Sequence, residues 1–271
     1  LPLHFASLLF VPGAAPARFA KALASGADLV VIDLEDSVPP EGKADARAAA
    51  VAAVVAEPRY AVRINPVSTV EGLRDLVALA DAGAALRALM VPKAEHGSQM
   101  VSVRAALPET PLIALVETPA AIRRTAEIAS APGVAAAMFG GGDLSAELGV
   151  ELAWEPLATA RGLFLLGCAE AGVPAVDVPW VRLDDAEGLA ADCRRAAALG
   201  FGAKAAIHPA QLDAIHAAFR PTPEAVAEAR GAQAAFAAAG GRALRWNGRM
   251  LEAPLMRRYG RVLAQAEAMD A

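Results

Sequence analysis

The chain has 271 residues and a formal charge of −5, with a pI near 5.5, so it offers no basic stripe for nucleic acid or an anionic membrane. Hydrophobic residues make up 56% and aromatics 5%; a large core is expected, and stacking platforms for single-stranded nucleic acid are not. The two cysteines, Cys168 and Cys193, fit neither a disulfide framework nor a zinc spacing, and read as buried thiols of a reducing, cytoplasmic compartment.

The first apolar run, Leu8–Val11, followed by Ala14 to Ala17, imitates a signal peptide only loosely, because it is short and has no basic segment before it. No stretch approaches the roughly 20 apolar residues of a membrane span. A helical pattern over Ala15–Ser25 follows, then a second aliphatic run at Leu29–Ile32. The alternation continues with a helix over Lys43–Ala56, a strand at Tyr60–Ile64, a helix over Val70–Ala82 and a strand at Ala88–Val91. Next come Gln99–Ala106 (helix), Leu112–Val116 (strand), Ala120–Ala129 (helix) and Ala135–Phe139 (strand). Helices over Pro156–Ala171 and Asp184–Leu199 frame the strand Ala175–Val178, and Ala203–Ile207 is the eighth run.

Apolar strands separated by amphipathic helices indicate a parallel sheet covered by helices. Eight such repeats, with no Gly-x-Gly-x-x-Gly at the first helix, favour an α/β fold of one kind: a single (β/α)8 TIM barrel. The barrel is expected over residues 1–220. Residues 221–271 then form a C-terminal helical extension of the same domain, with helices over Glu224–Ala239 and from about Pro254.

In such barrels catalytic groups sit at the C-terminal ends of the strands. Those ends carry Asp33, Glu35 and Asp36; Arg63 and Asn65; Lys93 and Glu95; Glu117; Gly140–Asp143; Asp177; and Lys204 with His208. A carboxylate directly after an aliphatic run is costly to desolvate unless paired or metal-bound. Glu117 and Asp143 end adjacent strands, and two carboxylates with open positions suit Mg²⁺. Gly140–Gly142 lets the backbone come close to an anionic group. The four histidines show no zinc-binding pairing. Simpler readings stand beside these. Glu117 is open to being an ion-pair partner of Arg63 or Lys93, and Asp143 to being a helix N-cap. Asp33, Asp177 and His208 are open to purely structural roles, and Lys43 with Arg47 to being a solvated helix face.

Nine segments in order resemble the HpcH/HpaI aldolase and citrate lyase β-subunit family. They are Ser7-Leu-Leu-Phe-Val-Pro-Gly13, Asp33-Leu-Glu-Asp-Ser-Val38, Lys43-Ala-Asp-Ala-Arg47, Val62-Arg-Ile-Asn65, Val91-Pro-Lys-Ala-Glu95, Leu115-Val-Glu-Thr118, Phe139-Gly-Gly-Gly-Asp-Leu144, Gly200 to Pro209, and Gly248-Arg-Met-Leu-Glu-Ala-Pro254. The resemblance implies that Glu117 and Asp143 bind magnesium and that Arg63 holds the carboxylate of a 2-oxo acid. It implies that Glu35 and Asp36 bond the metal's waters and that Lys43 and Arg47 meet coenzyme A at the entrance. It gives Glu252 the place of an aspartate that reaches a neighbouring subunit as acid–base group, in a homo-oligomer with a trimer favoured. Ala6 departs from the family pattern, where arginine is common. The activity implied is Mg²⁺-dependent cleavage of a citryl-, malyl- or citramalyl-CoA type thioester to acetyl-CoA and a 2-oxo acid. Three rivals remain open: an aldolase on free hydroxy-keto acids, a Schiff-base enzyme using Lys93 or Lys204, and a subunit needing an acyl-carrier partner.

Overall fold

The computed structural model describes residues 2–83 and 85–270, in two compact units that divide between Phe219 and Arg220. The first unit is the expected barrel. Its strands are β1 (Ser7–Pro12), β2 (Leu29–Asp33), β3 (Tyr60–Arg63), β4 (Ala88–Val91), β5 (Leu112–Val116), β6 (Val134–Phe139), β7 (Ala175–Asp177) and β8 (Ala203–Ala206). Each pairs with the next in parallel, and β8 closes on β1. Because helices cover the outside and side chains fill the inside, the strands are apolar on both faces.

Helices form close to where the apolar spacing puts them, at Lys43–Ala56, Val70–Asp81, Gly97–Ala106, Trp154–Ala171 and Ala186–Leu199. Two expectations change. The pattern over Ala120–Ala129 is two short helices, Pro119–Arg123 and Thr125–Ala129, meeting at Arg124. The pattern over Ala15–Ser25 is a 3-10 turn, Pro16–Arg18, leading into the short helix Phe19–Leu23. A helix at Leu212–Phe219, not foreseen in the sequence, follows β8. No helix of the described residues is long and apolar enough to cross a membrane.

The two-residue period of a strand decides what each side chain meets. One apolar cluster gathers Leu8 of β1, Leu29 and Val31 of β2, Ala61 of β3, Ala88 and Met90 of β4, and their counterparts around the ring, with Leu3 and Phe5 packed in. The intervening residues, such as Val30, Ile32, Leu89 and Phe139, are buried but absent from that cluster; they face the helices. Continued one step toward the C-terminal ends, the inward series reaches Asp33, Arg63 and Glu117. The outward series includes Asp177, the last residue of β7, and Lys204, the second of β8.

The outward pair forms a buried charge network between barrel and helices. Lys204 Nζ donates to Asp177 Oδ2 (2.6 Å), Asp192 Oδ2 (2.6 Å) and the Val178 carbonyl (2.7 Å). Arg161 donates from Nε to Asp177 Oδ1 (3.1 Å) and lies over the rings of Phe139 and Trp154. All three Lys204 protons are used, and the side chain is fully buried. It is therefore a strut, closed to a substrate ketone.

The second unit has its own apolar cluster of Ala229, Ala232, Leu251 and Tyr259, with Phe236 and Trp246 against it. Between helices Pro223–Ala238 and Ala253–Asp270 it holds an antiparallel hairpin, β9 (Leu244–Trp246) and β10 (Arg249–Leu251). The helical extension read from the sequence did not include that hairpin. Its turn is Asn247-Gly248, both at positive φ, the residue pair a tight hairpin favours.

Replacing Lys204 by methionine leaves Asp177 and Asp192 buried without their shared cation, so a loss of about 3–5 kcal/mol is expected. Urea denaturation of the variant measures it; a loss below about 1 kcal/mol would mean the network is not a significant support.

Candidate active site

At the C-terminal end of β2 the Asp33 carboxylate organises the chain that follows. It accepts from Glu35 N (2.9 Å) and Ser37 N (3.2 Å), an Asx-type turn. Lys43, at the start of helix Lys43–Ala56, pins the same loop by donating to the carbonyls of Leu34 (2.8 Å) and Glu35 (2.6 Å). From the neighbouring strand Arg63 lays its guanidinium fork on Asp33, Nε to Oδ1 at 2.7 Å and Nη2 to Oδ2 at 2.8 Å. Its Nη1 faces Glu35 Oε2 at 3.0 Å and Asp36 Oδ2 at 3.2 Å, and the group lies over the Phe10 ring.

β5 delivers Glu117. Thr118, two residues past the strand, caps the next helix, its Oγ1 accepting from Ala121 N (3.1 Å), with Pro119 at the first helical position. Glu117 Oε1 accepts the Lys93 backbone N–H at 2.7 Å. β6 runs into Gly140, where a Cβ would stand 2.2 Å from Glu117 Cβ and 2.9 Å from Glu117 Oε2. Only glycine lets strand end and carboxylate approach so closely. Asp143 lies in the first turn of helix Gly141–Leu148, whose N-cap is Gly140, so it is not the cap itself. Its carboxylate pairs with the Lys93 ammonium, which is also 4.0 Å from Glu35 Oε1.

Burial pushes the Glu35 carboxyl up to about 8, against the pull of Arg63, with Asp36 and Glu117 adding repulsion. Burial likewise raises Glu117 to about 7, opposed by the Lys93 N–H and ammonium. Asp33 is equally buried, but the Arg63 fork and the N–H groups of the turn outweigh burial and hold it below its ordinary value. Glu35 Oε2 is buried with no hydrogen-bond partner among the described residues; its 3.0 Å approach to Arg63 is an ion contact only.

These groups line a cavity of about 310 Å³ at the barrel mouth. Asp33, Asp36, Arg63, Glu117, Gly140, Gly142 and Asp143 form its polar side, and Phe10, Leu115, Met138, Leu152, Val178 and Ile207 its apolar side. The apolar wall was not singled out in the sequence, although Phe10, Leu115 and Met138 belong to the same inward series of the strands. Other expected site residues are placed elsewhere. Lys43 and Arg47 do not line the cavity: Lys43 is spent on the loop carbonyls, and Arg47 pairs with Asp75 (2.6 Å) and Glu71. Glu252 belongs to the second unit, where its carbonyl accepts from Met256 N at the head of the last helix. Lys93 is held on Asp143 with its pKa raised net, burial pulling it down but Asp143 and Glu117 prevailing, the opposite of an amine activated for Schiff-base chemistry. Among the described residues no group of three or more His, Cys, Asp or Glu gathers as a metal cage.

Residues 6–209 match the HpcH/HpaI aldolase/citrate lyase family. A citrate lyase subunit beta-like protein of Mycobacterium tuberculosis is 38% identical over 96% of this chain and 93% of its own length. A (3S)-malyl-CoA thioesterase of Cereibacter sphaeroides is 36% identical over 86% of this chain and 83% of its own. Among solved structures, the CitE protein of Mycobacterium tuberculosis in complex with magnesium, acetoacetate and coenzyme A superposes with a TM-score of 0.81 at 36% identity, covering 98% of this chain and 100% of that one. With the family match spanning three quarters of its length and the barrel mouth built from the motifs that carry it, the chain belongs to the HpcH/HpaI aldolase/citrate lyase family.

Proposed function

We propose that the chain is a magnesium-dependent carbon–carbon lyase that cleaves a malyl-, citryl- or citramalyl-CoA type thioester to acetyl-CoA and a 2-oxo acid. The observation that carries this reading is the pair Glu117, just after β5, and Asp143, in the helix that follows β6, on one cavity beside Arg63. The donor set suits magnesium. It is all oxygen, it leaves positions for water and substrate, and a cation beside Glu117 would offset the burial that raises its carboxyl. The magnesium-bearing CitE structure and the acyl-CoA named for the thioesterase support the same class.

In this reading Glu117 and Asp143 hold the ion, and Glu35 and Asp36 orient its waters. Arg63, fixed by Asp33 and faced by acidic groups, directs positive charge at the carboxylate of the 2-oxo acid. When bound, magnesium supplies a Lewis acid that favours loss of the substrate's hydroxyl proton and carbonyl formation. The apolar wall of Leu115, Met138 and Val178 excludes water from the departing acetyl fragment, which carries the electron pair of the broken bond until protonated. Glu252 is assigned that acid–base duty for a neighbouring copy, in a homo-oligomer with a trimer favoured. Lys43 serves by fixing the loop that carries Glu35 and Asp36, and Arg47 by tying its helix to Asp75. The buried thiols Cys168 and Cys193 suit a cytoplasmic setting.

The thioesterase relative favours a second reading, hydrolysis of the same thioester without carbon–carbon cleavage. Purified protein supplied with malyl-, citryl- and citramalyl-CoA separates the two. Acetyl-CoA with a 2-oxo acid marks a lyase; free coenzyme A with an intact hydroxy acid marks a thioesterase. Cleavage is expected to need Mg²⁺, to stop with EDTA, and to fall on the order of a thousandfold in Glu117→Ala. EDTA-resistant cleavage would sink the metal reading.

The raised carboxyls give a pH test. Folded protein binds protons on Glu35 and Glu117 that the unfolded chain has released above the ordinary value of 4.5. Stability of the metal-free protein should therefore fall as pH rises from about 4.5 through 7 and 8. Glu35→Gln should flatten that slope in thermal melts, and saturating Mg²⁺ should oppose it. A slope unchanged in Glu35→Gln would show that Glu35 is not the group responsible.

A further inference from the structure

Lys93 stands out in its backbone and in its contacts. Among the described residues it and Asn247 are the non-glycine positions with positive φ, 48° and 46°. Asn247 sits in a hairpin turn that asks for this conformation. Lys93 sits after β4, where an unbranched side chain has no local reason to adopt it. What the left-handed backbone achieves is contact with both carboxylates at once. The Lys93 N–H points at Glu117 Oε1 (2.7 Å), and the ammonium rests on Asp143 with Glu35 Oε1 4.0 Å away.

The neighbouring cation cannot take this place, because Arg63 is committed to Asp33 through two bonds. We propose that Lys93 is a resident counter-ion of the site, which holds Asp143 in the metal-free protein and competes with the divalent ion for it. Lys93 is thus a positioning residue: its backbone fixes Glu117, and its ammonium sets from within how tightly the carboxylate pair takes a metal. The competition follows from Coulomb's law, since a divalent ion between Glu117 and Asp143 meets a positive charge already resting on Asp143. The proposal rests on the metal reading above. It goes further in predicting that removing a residue of the site strengthens binding.

The test is titration of Mn²⁺, read by electron paramagnetic resonance and calorimetry, into EDTA-stripped full-length protein and the variants Lys93→Met and Lys93→Gly. Glycine adopts the left-handed backbone without strain, so this variant keeps the Glu117 contact even where methionine disturbs the loop. Both variants should bind Mn²⁺ roughly fivefold more tightly than the parent, a shift of the size expected when one exposed ion pair no longer has to be broken. Their metal-free forms should melt earlier than the parent, with Mn²⁺ restoring the difference. Unchanged or weaker Mn²⁺ binding in the folded variants overturns the counter-ion role. Absence of Mn²⁺ binding by the parent protein overturns the metal reading itself, and is told apart because the parent titration alone reveals it.

Discussion

Strand parity in a closed parallel barrel governs nearly everything else in this molecule. A residue at the end of a strand has two possible surroundings, the mouth of the barrel or the layer between sheet and helices, and its place in the two-residue period selects one. Asp33, Arg63 and Glu117 continue the inward series of Val31, Ala61 and Leu115. Asp177 and Lys204 continue the outward series and meet Arg161 and Asp192 from the covering helices. Residues of the same types on neighbouring strands are thereby sorted into a site and a support.

The two groups differ in charge balance. Outside the barrel, Lys204 and Arg161 face Asp177 and Asp192, two cations for two carboxylates, with every Lys204 proton donated. At the mouth, the five carboxylates Asp33, Glu35, Asp36, Glu117 and Asp143 face two cations, Arg63 and Lys93. Ion pairing balances the charge of the first set, although Arg161 Nη1 is buried without a hydrogen-bond partner among the described residues. The second is left with more negative charge than its own side chains neutralise. Asp33 stays ionised because the Arg63 fork is devoted to it, while Glu35 and Glu117 are driven toward their neutral forms by burial. Imbalance of this kind opposes stability and favours capture of an external cation.

Much of this was legible in the sequence, and the exceptions have identifiable causes. All eight strands were visible as aliphatic runs, even the alanine-rich β6 and β8, because the regular spacing of helices between them left no other role. Helix Lys43–Ala56 was recovered to the residue. The break at Arg124 was not foreseen, since Ala120–Ala129 keeps helical composition across it and the interruption is a matter of packing. The hairpin at Asn247-Gly248 carries a clear turn signal, but three-residue strands are too short to show a period. Glu117, Asp143 and Arg63 were expected at the site from chemistry and resemblance, and they line the cavity at the barrel mouth. Lys43 and Arg47 were expected to meet a ligand, but their partners, the Leu34 and Glu35 carbonyls and Asp75, are brought to them only by the fold. The structural bonds of Asp33 to Arg63 and to its own loop were equally invisible before the strands were set side by side.

The contact between Gly140 and Glu117 has a bearing on how this mouth tolerates change over generations. An added methyl there would meet the Glu117 side chain at 2.2 Å while altering no charge and no hydrogen-bonding group. Sequence drift can vary the apolar wall around it and so explore new acyl groups, yet position 140 is closed to it by simple exclusion of volume. Variant libraries built to redirect the substrate can diversify Leu115, Met138 and Val178, which line the same cavity, but should leave this glycine alone.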